Sequence, residues 1–171
     1  MKHAKKLIAL TLALICLTLS MSSCATLTIG ALLFNRLSTT EDEIEFYSLV
    51  SESKELLDSV SFDINIHWGD YIYNDKYDSA DDAIDAARKK NEDEVRTLEE
   101  NDKVIRELYQ EIRDGKRADE VEAVMEAYDD YYEFVMLLLL TKNLSYSEFA
   151  TQRGDLSLAL LAAVRRLQVE L

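Results

Sequence analysis

Few side chains of this chain are suited to catalysis. The histidines are His3 and His67, and the cysteines are Cys16 and Cys24. A Ser-His-Asp or Cys-His arrangement needs an imidazole as its base, and a metal centre of the helical-bundle type needs a histidine on each of two helices. Cys-x-x-Cys, His-Glu-x-x-His, P-loop and Gly-x-Gly-x-x-Gly motifs are also missing from the sequence. We therefore expect no enzyme, and we predict no catalytic residue, cofactor or metal ligand.

Cys24 is the cysteine whose surroundings indicate a specific chemistry. The chain begins with a basic segment that contains Lys2, Lys5 and Lys6, and residues 7–19 are apolar. Two small serines stand directly before Cys24. A basic start, an apolar stretch and small residues at a cleavage point together are typical of a secretory signal peptide. The other cysteine lies within the apolar stretch and would leave with the signal.

The run Met21-Ser22-Ser23-Cys24 resembles the lipobox of bacterial lipoproteins. Met21 replaces the leucine usual at that position, but it is also apolar. In this family the cysteine thiol is diacylated, a signal peptidase cuts directly before the cysteine, and the cysteine becomes the lipid-bearing first residue. The resemblance implies that residues 1–23 are a signal peptide and that Cys24 attaches the chain to membrane lipid. It places the protein at the cell membrane, on the extracytoplasmic face.

An uncut signal anchor is the alternative for the same segment. No charged residue occurs within residues 7–34, and about 20 apolar residues are enough to span a bilayer. Both alternatives keep the three lysines in the cytoplasm and export the acidic remainder.

If Cys24 is acylated, the residue that follows it is Ala25. A chain without Asp at this position resembles the lipoproteins that are forwarded to the outer membrane in bacteria that have two membranes.

The charge of the chain restricts its partners. The sequence has 33 acidic and 19 basic residues, and its net charge is −14. Cleavage before Cys24 would remove three lysines and leave a net charge of about −17. Nucleic acid is excluded as an expected partner because phosphate binding requires clustered Lys and Arg. A basic protein of the cell envelope remains a candidate, as do divalent cations.

The absence of proline and the presence of four glycines in 171 residues favour long helices. The first helix is predicted to begin at Thr40, because Glu43 three residues later completes the pattern of a capping box. Apolar residues then recur at helical spacing over residues 46–71. Residues 60–68 also alternate as in a strand, but the flanking pattern favours a helix there.

Three further helices are predicted by their apolar stripes, and the starts of the second and fourth also by capping residues. The second begins after Ser79 and runs to Gly115. The third covers residues 119–141. The fourth follows Ser145, which forms another capping box with Glu148.

We predict an all-α domain at residues 40–171, an elongated antiparallel up-down-up-down four-helix bundle that follows the N-terminal signal segment. The first two helices are expected to be longer than the last two. Residues 134–140 place apolar side chains on nearly every face of the third predicted helix, and they are predicted to be a buried core segment. Residues 24–39 are predicted to form an apolar tether that lies at the lipid interface or packs back onto the bundle.

Aromatic residues near the end of the first predicted helix form a candidate recognition surface, which comprises Trp68, Tyr71, Tyr73 and Tyr77. Tyrosine and tryptophan are enriched at interfaces, since they provide a large contact area at low entropic cost. Acidic residues surround them, and hard cations prefer such carboxylate oxygens. The spacing does not match a calcium loop, however, so a solvated connection is the favoured interpretation of these acids.

The segment Ala127-Tyr-Asp-Asp-Tyr-Tyr-Glu-Phe-Val135, ahead of a capped last helix that ends Leu-Gln-Val-Glu-Leu, resembles small helical lipoproteins of Gram-positive bacteria. That group has no established activity, so the resemblance implies a fold and a location but no reaction.

The sequence as a whole leaves two hypotheses for the function. The first is a membrane-tethered interaction or scaffold module of the cell envelope. The second is a lipoprotein that binds a small ligand or cation at residues 68–85.

Overall fold

Helices account for all the regular structure in the described part of the chain. The computed structural model describes residues 40–116 and 121–171, which contain five α-helices and no strand. The α-helices are α1 (Glu41–Asn74), α2 (Ala80–Lys90), α3 (Glu92–Gly115), α4 (Glu122–Leu140) and α5 (Tyr146–Glu170), and a 3-10 turn (Thr141–Asn143) precedes α5. The predicted all-α class is confirmed. The stretch that also alternates like a strand lies inside α1.

The helix starts predicted from capping residues are confirmed. The Glu43 amide donates to Thr40 Oγ1 at 3.3 Å, and the Thr40 amide donates to Glu43 Oε2 at 2.8 Å. Ser145 and Glu148 form the same pair of hydrogen bonds at the start of α5. Each capping box satisfies backbone donors that the first helical turn leaves unpaired.

The second predicted helix is divided at Asn91 into α2 and α3. Asn91 is buried, and its side-chain amide donates to the Ala87 carbonyl at 2.8 Å and to Asp63 Oδ2 at 2.9 Å. Asn side chains that bond nearby backbone compete with helical geometry. Asp63 lies on α1 and also pairs with Lys90 at 2.8 Å. Lys90 and Asn91, the residues at the break between α2 and α3, are therefore both bonded to α1.

The core forms around α1, which packs against all four other α-helices. Helix α5 packs extensively on α4, whereas α3 and α4 contact each other only sparsely. The largest fully buried side chains include Phe46, Leu57, Ile64, Ile84, Ile105, Tyr131, Phe134, Phe149, Leu160 and Leu167. Every α-helix therefore contributes to one core, and α1 is its centre.

Ion pairs connect the helix ends. Glu43 at the start of α1 is buried and accepts a hydrogen bond from Lys116 Nζ, just beyond α3, at 2.7 Å. Arg166 on α5 pairs with Glu122 at 3.2 Å and with Glu126 at 2.5 Å, both on α4. The start of α1 thus lies beside the end of α3, and the start of α4 lies beside the last turns of α5.

Candidate interaction surface

Trp68 belongs to the core, although it was predicted as part of a recognition surface. Its side chain is 5% exposed. The indole centroid lies 5.8 Å from the ring of Phe149 and 5.9 Å from that of Tyr146, both on α5. The indole therefore joins α1 to α5 and has little surface to offer a partner.

The three predicted tyrosines have different surroundings. Tyr71 is half-buried against the core. Tyr73 is 74% exposed, and its ring meets the edge of Tyr146 at a centroid distance of 6.3 Å. Tyr77 lies beyond α1 and bonds to His67. Tyr73 is therefore the predicted residue with the most surface available to a partner.

His67 and Tyr77 form a polar contact between α1 and the segment that follows it. Tyr77 Oη lies 2.7 Å from His67 Nδ1, and the two rings stack at 5.6 Å. Burial lowers the pKa of His67, and the positive charge of Lys76 lowers it further. A neutral imidazole with its proton on Nε2 can accept a hydrogen bond from the Tyr77 hydroxyl at Nδ1.

Asp70, one of the acidic residues in this region, already has partners from the protein. Asp70 accepts hydrogen bonds from Lys76 at 2.8 Å and from Asn74 at 2.9 Å. The hydrogen bond from Lys76 is the largest cause of a lowered pKa at Asp70, and that from Asn74 is the next. Within the described ranges, no three His, Cys, Asp or Glu side chains are grouped so that they could hold a metal ion.

The C-terminal half of α4 exposes apolar side chains that the sequence analysis placed in the core. Phe134 and Leu137 are buried, as predicted, but Leu139 is 64% exposed and Leu140 46% exposed. Tyr132 on the same half is also exposed. The prediction of a fully buried segment is wrong for these leucines, because α4 is covered by α1 and α5 on part of its circumference only.

The preceding turns of α4 carry acids on the outer side. Burial raises the pKa of Asp130, and the negative charges of Glu126, Glu133 and Asp129 raise it further. We define the α4 surface as these acids together with the neighbouring apolar residues: Glu126, Asp129, Asp130, Tyr132, Glu133, Met136, Leu139 and Leu140. Their spacing of three and four residues places them along one side of the helix.

Cys24 lies outside the described residues, and so do the predicted signal peptide at residues 1–23 and the tether at residues 24–39. Their roles stay predictions. Within the two described ranges, we find no helix that combines the length and the apolarity needed to cross a membrane.

Comparisons with known proteins do not assign the chain to a family. We found no match to it among protein-family models, curated proteins or solved structures. The functional argument therefore depends on the residues of this chain and their geometry.

Proposed function

We propose that this protein is an exported lipoprotein, attached to the cell membrane through an acylated Cys24, and that its helical domain is an interaction or scaffold module of the cell envelope. The basic start, the apolar residues 7–19 and the small residues before Cys24 support the attachment. The observation that carries the interaction role is the α4 surface, where Leu139 and Leu140 are exposed on the same helix as a row of acids.

The chemistry of the α4 surface favours a basic protein partner. An exposed apolar area rimmed by charged residues is typical of a protein interaction site. Here the rim is acidic, since Glu126, Asp129, Asp130 and Glu133 precede the apolar half. A partner segment with apolar side chains flanked by Lys or Arg would bury the leucines and neutralise Asp129, Asp130 and Glu133. Glu126 already pairs with Arg166.

We further propose that the domain is an antiparallel four-helix bundle in which α2 and α3 together form its second arm. The contact between Glu43 and Lys116 supports opposite directions for α1 and α3. The contacts of Arg166 with Glu122 and Glu126 support the same for α4 and α5. Short connections between the arms also favour antiparallel neighbours.

Cross-linking in native membranes tests the interaction role. The full-length protein should cross-link to a defined envelope protein, and Leu140→Ser should reduce that yield several-fold, because a serine in the centre of an interface loses the burial of the leucine. Leu158→Ser is the matched control, since Leu158 on α5 is 68% exposed and lies outside the α4 surface. Equal yields in the two variants would contradict a partner on α4.

The intact mass of the membrane-extracted protein tests the attachment. A first residue of Cys24 that carries acyl chains is expected, and Cys24→Ser should abolish the lipid adduct. A mass that still includes Met1 would show that residues 7–34 remain as an uncut anchor.

A further inference from the structure

A cavity of about 250 Å³ lies between α3 and α4, above α1. Its lining is mostly apolar and comes from three helices; it includes Leu57, Val60 and Ile64 of α1, Leu98 of α3 and Val135 of α4. Arg88, Glu99, Asp102 and Arg106 also line it. We call this cavity the α3/α4 slot. It occupies the place where the two helices contact each other only sparsely.

Polar contacts close the α3/α4 slot at two points. Arg88 on α2 donates from Nη2 to the carbonyl of Leu138 near the end of α4. Farther along α3, Asp102 accepts hydrogen bonds from Arg106 at 2.8 Å and from the Tyr131 hydroxyl at 3.3 Å. These contacts join the walls on either side of the apolar section, so the slot is a formed cavity of the fold.

The charge on the wall of the slot is unbalanced at Arg88. Arg106 is neutralised by Asp102, but no carboxylate of the described residues lies within ion-pair distance of Arg88, whose guanidinium bonds to a neutral carbonyl. Most of the charged residues in this chain are acidic, so a guanidinium without a carboxylate partner is notable. The remaining acid, Glu99, is exposed on the rim and would repel an anion placed beside it.

The size of the slot limits the ligand. An apolar cavity of about 150 Å³ is enough to hold benzene, and the slot, at about 250 Å³, is larger. We propose that it binds a medium-chain carboxylate such as octanoate, with the alkyl chain over Leu57, Val60 and Ile64 and the carboxylate at Arg88. An Arg guanidinium and a carboxylate form charge-assisted hydrogen bonds, and the position of Glu99 leaves the Arg88 end as the site for the anionic group.

Photolabelling tests the proposal with the full-length protein in lipid nanodiscs. The probe is octanoate with a diazirine at its far end, and the labelled residues are located by peptide mass spectrometry. We expect saturable labelling of slot residues such as Leu98 and Val135. Unlabelled carboxylates should compete about fourfold better for each added methylene until the chain fills the slot, as the burial of a CH₂ group requires. Octylamine should compete poorly.

Matched variants separate the slot from other sites. Arg88→Gln should weaken competition by octanoate about tenfold or more, since a charge-assisted hydrogen bond is lost. Lys89→Gln removes the same charge from the neighbouring residue, which does not line the slot, and should have no effect. Val135→Phe should abolish labelling because the larger ring occupies the slot. Circular dichroism should show unchanged helicity in each variant.

Three results would overturn the proposal. The first is labelling that unlabelled octanoate does not compete. The second is labelling that persists in a folded Val135→Phe variant, which would place the ligand elsewhere. The third is an equal loss of affinity in Arg88→Gln and Lys89→Gln, which would show that Arg88 acts only through its positive charge and does not contact the carboxylate. Leu139 belongs to both the slot and the α4 surface, whereas Leu140 does not line the slot. The labelling uses the purified protein in nanodiscs, so its results do not depend on the partner tested with Leu140→Ser.

Discussion

His67 and Tyr77 illustrate how a residue with catalytic capacity is used as a structural contact. The imidazole lies among Lys76, Lys90, Asp63 and Asp70, whose charges act on it in opposite directions. Burial is the largest effect and favours the neutral form. In the neutral ring with its proton on Nε2, Nδ1 accepts a hydrogen bond from the Tyr77 hydroxyl, whereas a protonated ring donates from Nδ1 to the Tyr77 oxygen. Both protonation states can therefore keep this contact, and burial is what favours the neutral form.

The stability of the fold should depend on pH through His67. Its pKa in the folded protein is below the unfolded value of about 6.5, so the unfolded chain binds more protons as the pH falls through that range. The contribution of His67 to the free energy of unfolding is fully present above its pKa in the unfolded chain. It is lost as the pH falls from that value to its pKa in the folded protein. His67→Asn should therefore lose less stability than the wild type between about pH 7.5 and about pH 5.5, as measured by urea unfolding.

Tyr77→Phe provides the control for this prediction, since it removes the hydroxyl and retains the imidazole. It should keep the acid sensitivity that desolvation causes. An equal loss of stability in wild type and His67→Asn over the same pH range would contradict the assignment to His67.

At the scale of the element, the helix caps behave as local features. The capping boxes of α1 and α5 join residues three apart, so the sequence alone predicts them. The glycines inside helices are different, because the effect of a side chain there depends on the neighbouring helix. A Cβ added at Gly154 would meet nothing within 4 Å, whereas one at Gly69 would lie 3.3 Å from the hydroxyl oxygen of Tyr146.

Gly154→Ala should stabilise the protein by about 0.5–1 kcal/mol, because alanine has the higher helix propensity. Gly69→Ala should gain less or lose stability, since Tyr146 must move to admit the methyl group. Thermal or urea unfolding of both variants measures the difference. Equal gains in stability at the two positions would show that Tyr146 moves aside without destabilising the fold.

The division of α2 from α3 shows what a local pattern misses. Asn91 continues the helical spacing of its neighbours, so a single helix from Ser79 to Gly115 is the natural prediction. At the break, the Asn91 amide donates to Asp63, which lies 28 residues earlier in the chain. Only the packing of α1 against α2 and α3 brings these two side chains together.

At the scale of the whole molecule, net charge opposes the compact state. The four basic residues before Thr40 lie outside the helical domain, which keeps 15 basic and all 33 acidic residues. The net charge of −14 for the chain thus understates the −18 of the domain. Self-repulsion of this kind destabilises a folded protein and is screened by salt.

Sodium chloride should raise the melting temperature of the full-length protein in nanodiscs of zwitterionic lipid. Between about 0.02 M and about 0.5 M salt, the screening length falls severalfold and the repulsion weakens. Exposed ion pairs such as that of Arg96 with Asp93 also weaken, but such pairs contribute little. A melting temperature that falls with salt would show that the ion pairs between helices outweigh the repulsion.

The sequence by itself predicted the all-α class, the capped helix starts and the buried stripes, because these depend on residues within a few positions of each other. It also predicts the lipid attachment at Cys24. The tertiary structure decided which aromatic residue is core, where α2 ends and which leucines of α4 are exposed. It also placed Arg88 beside an apolar slot. These features arise from contacts between residues distant in the chain, so no local spacing encodes them.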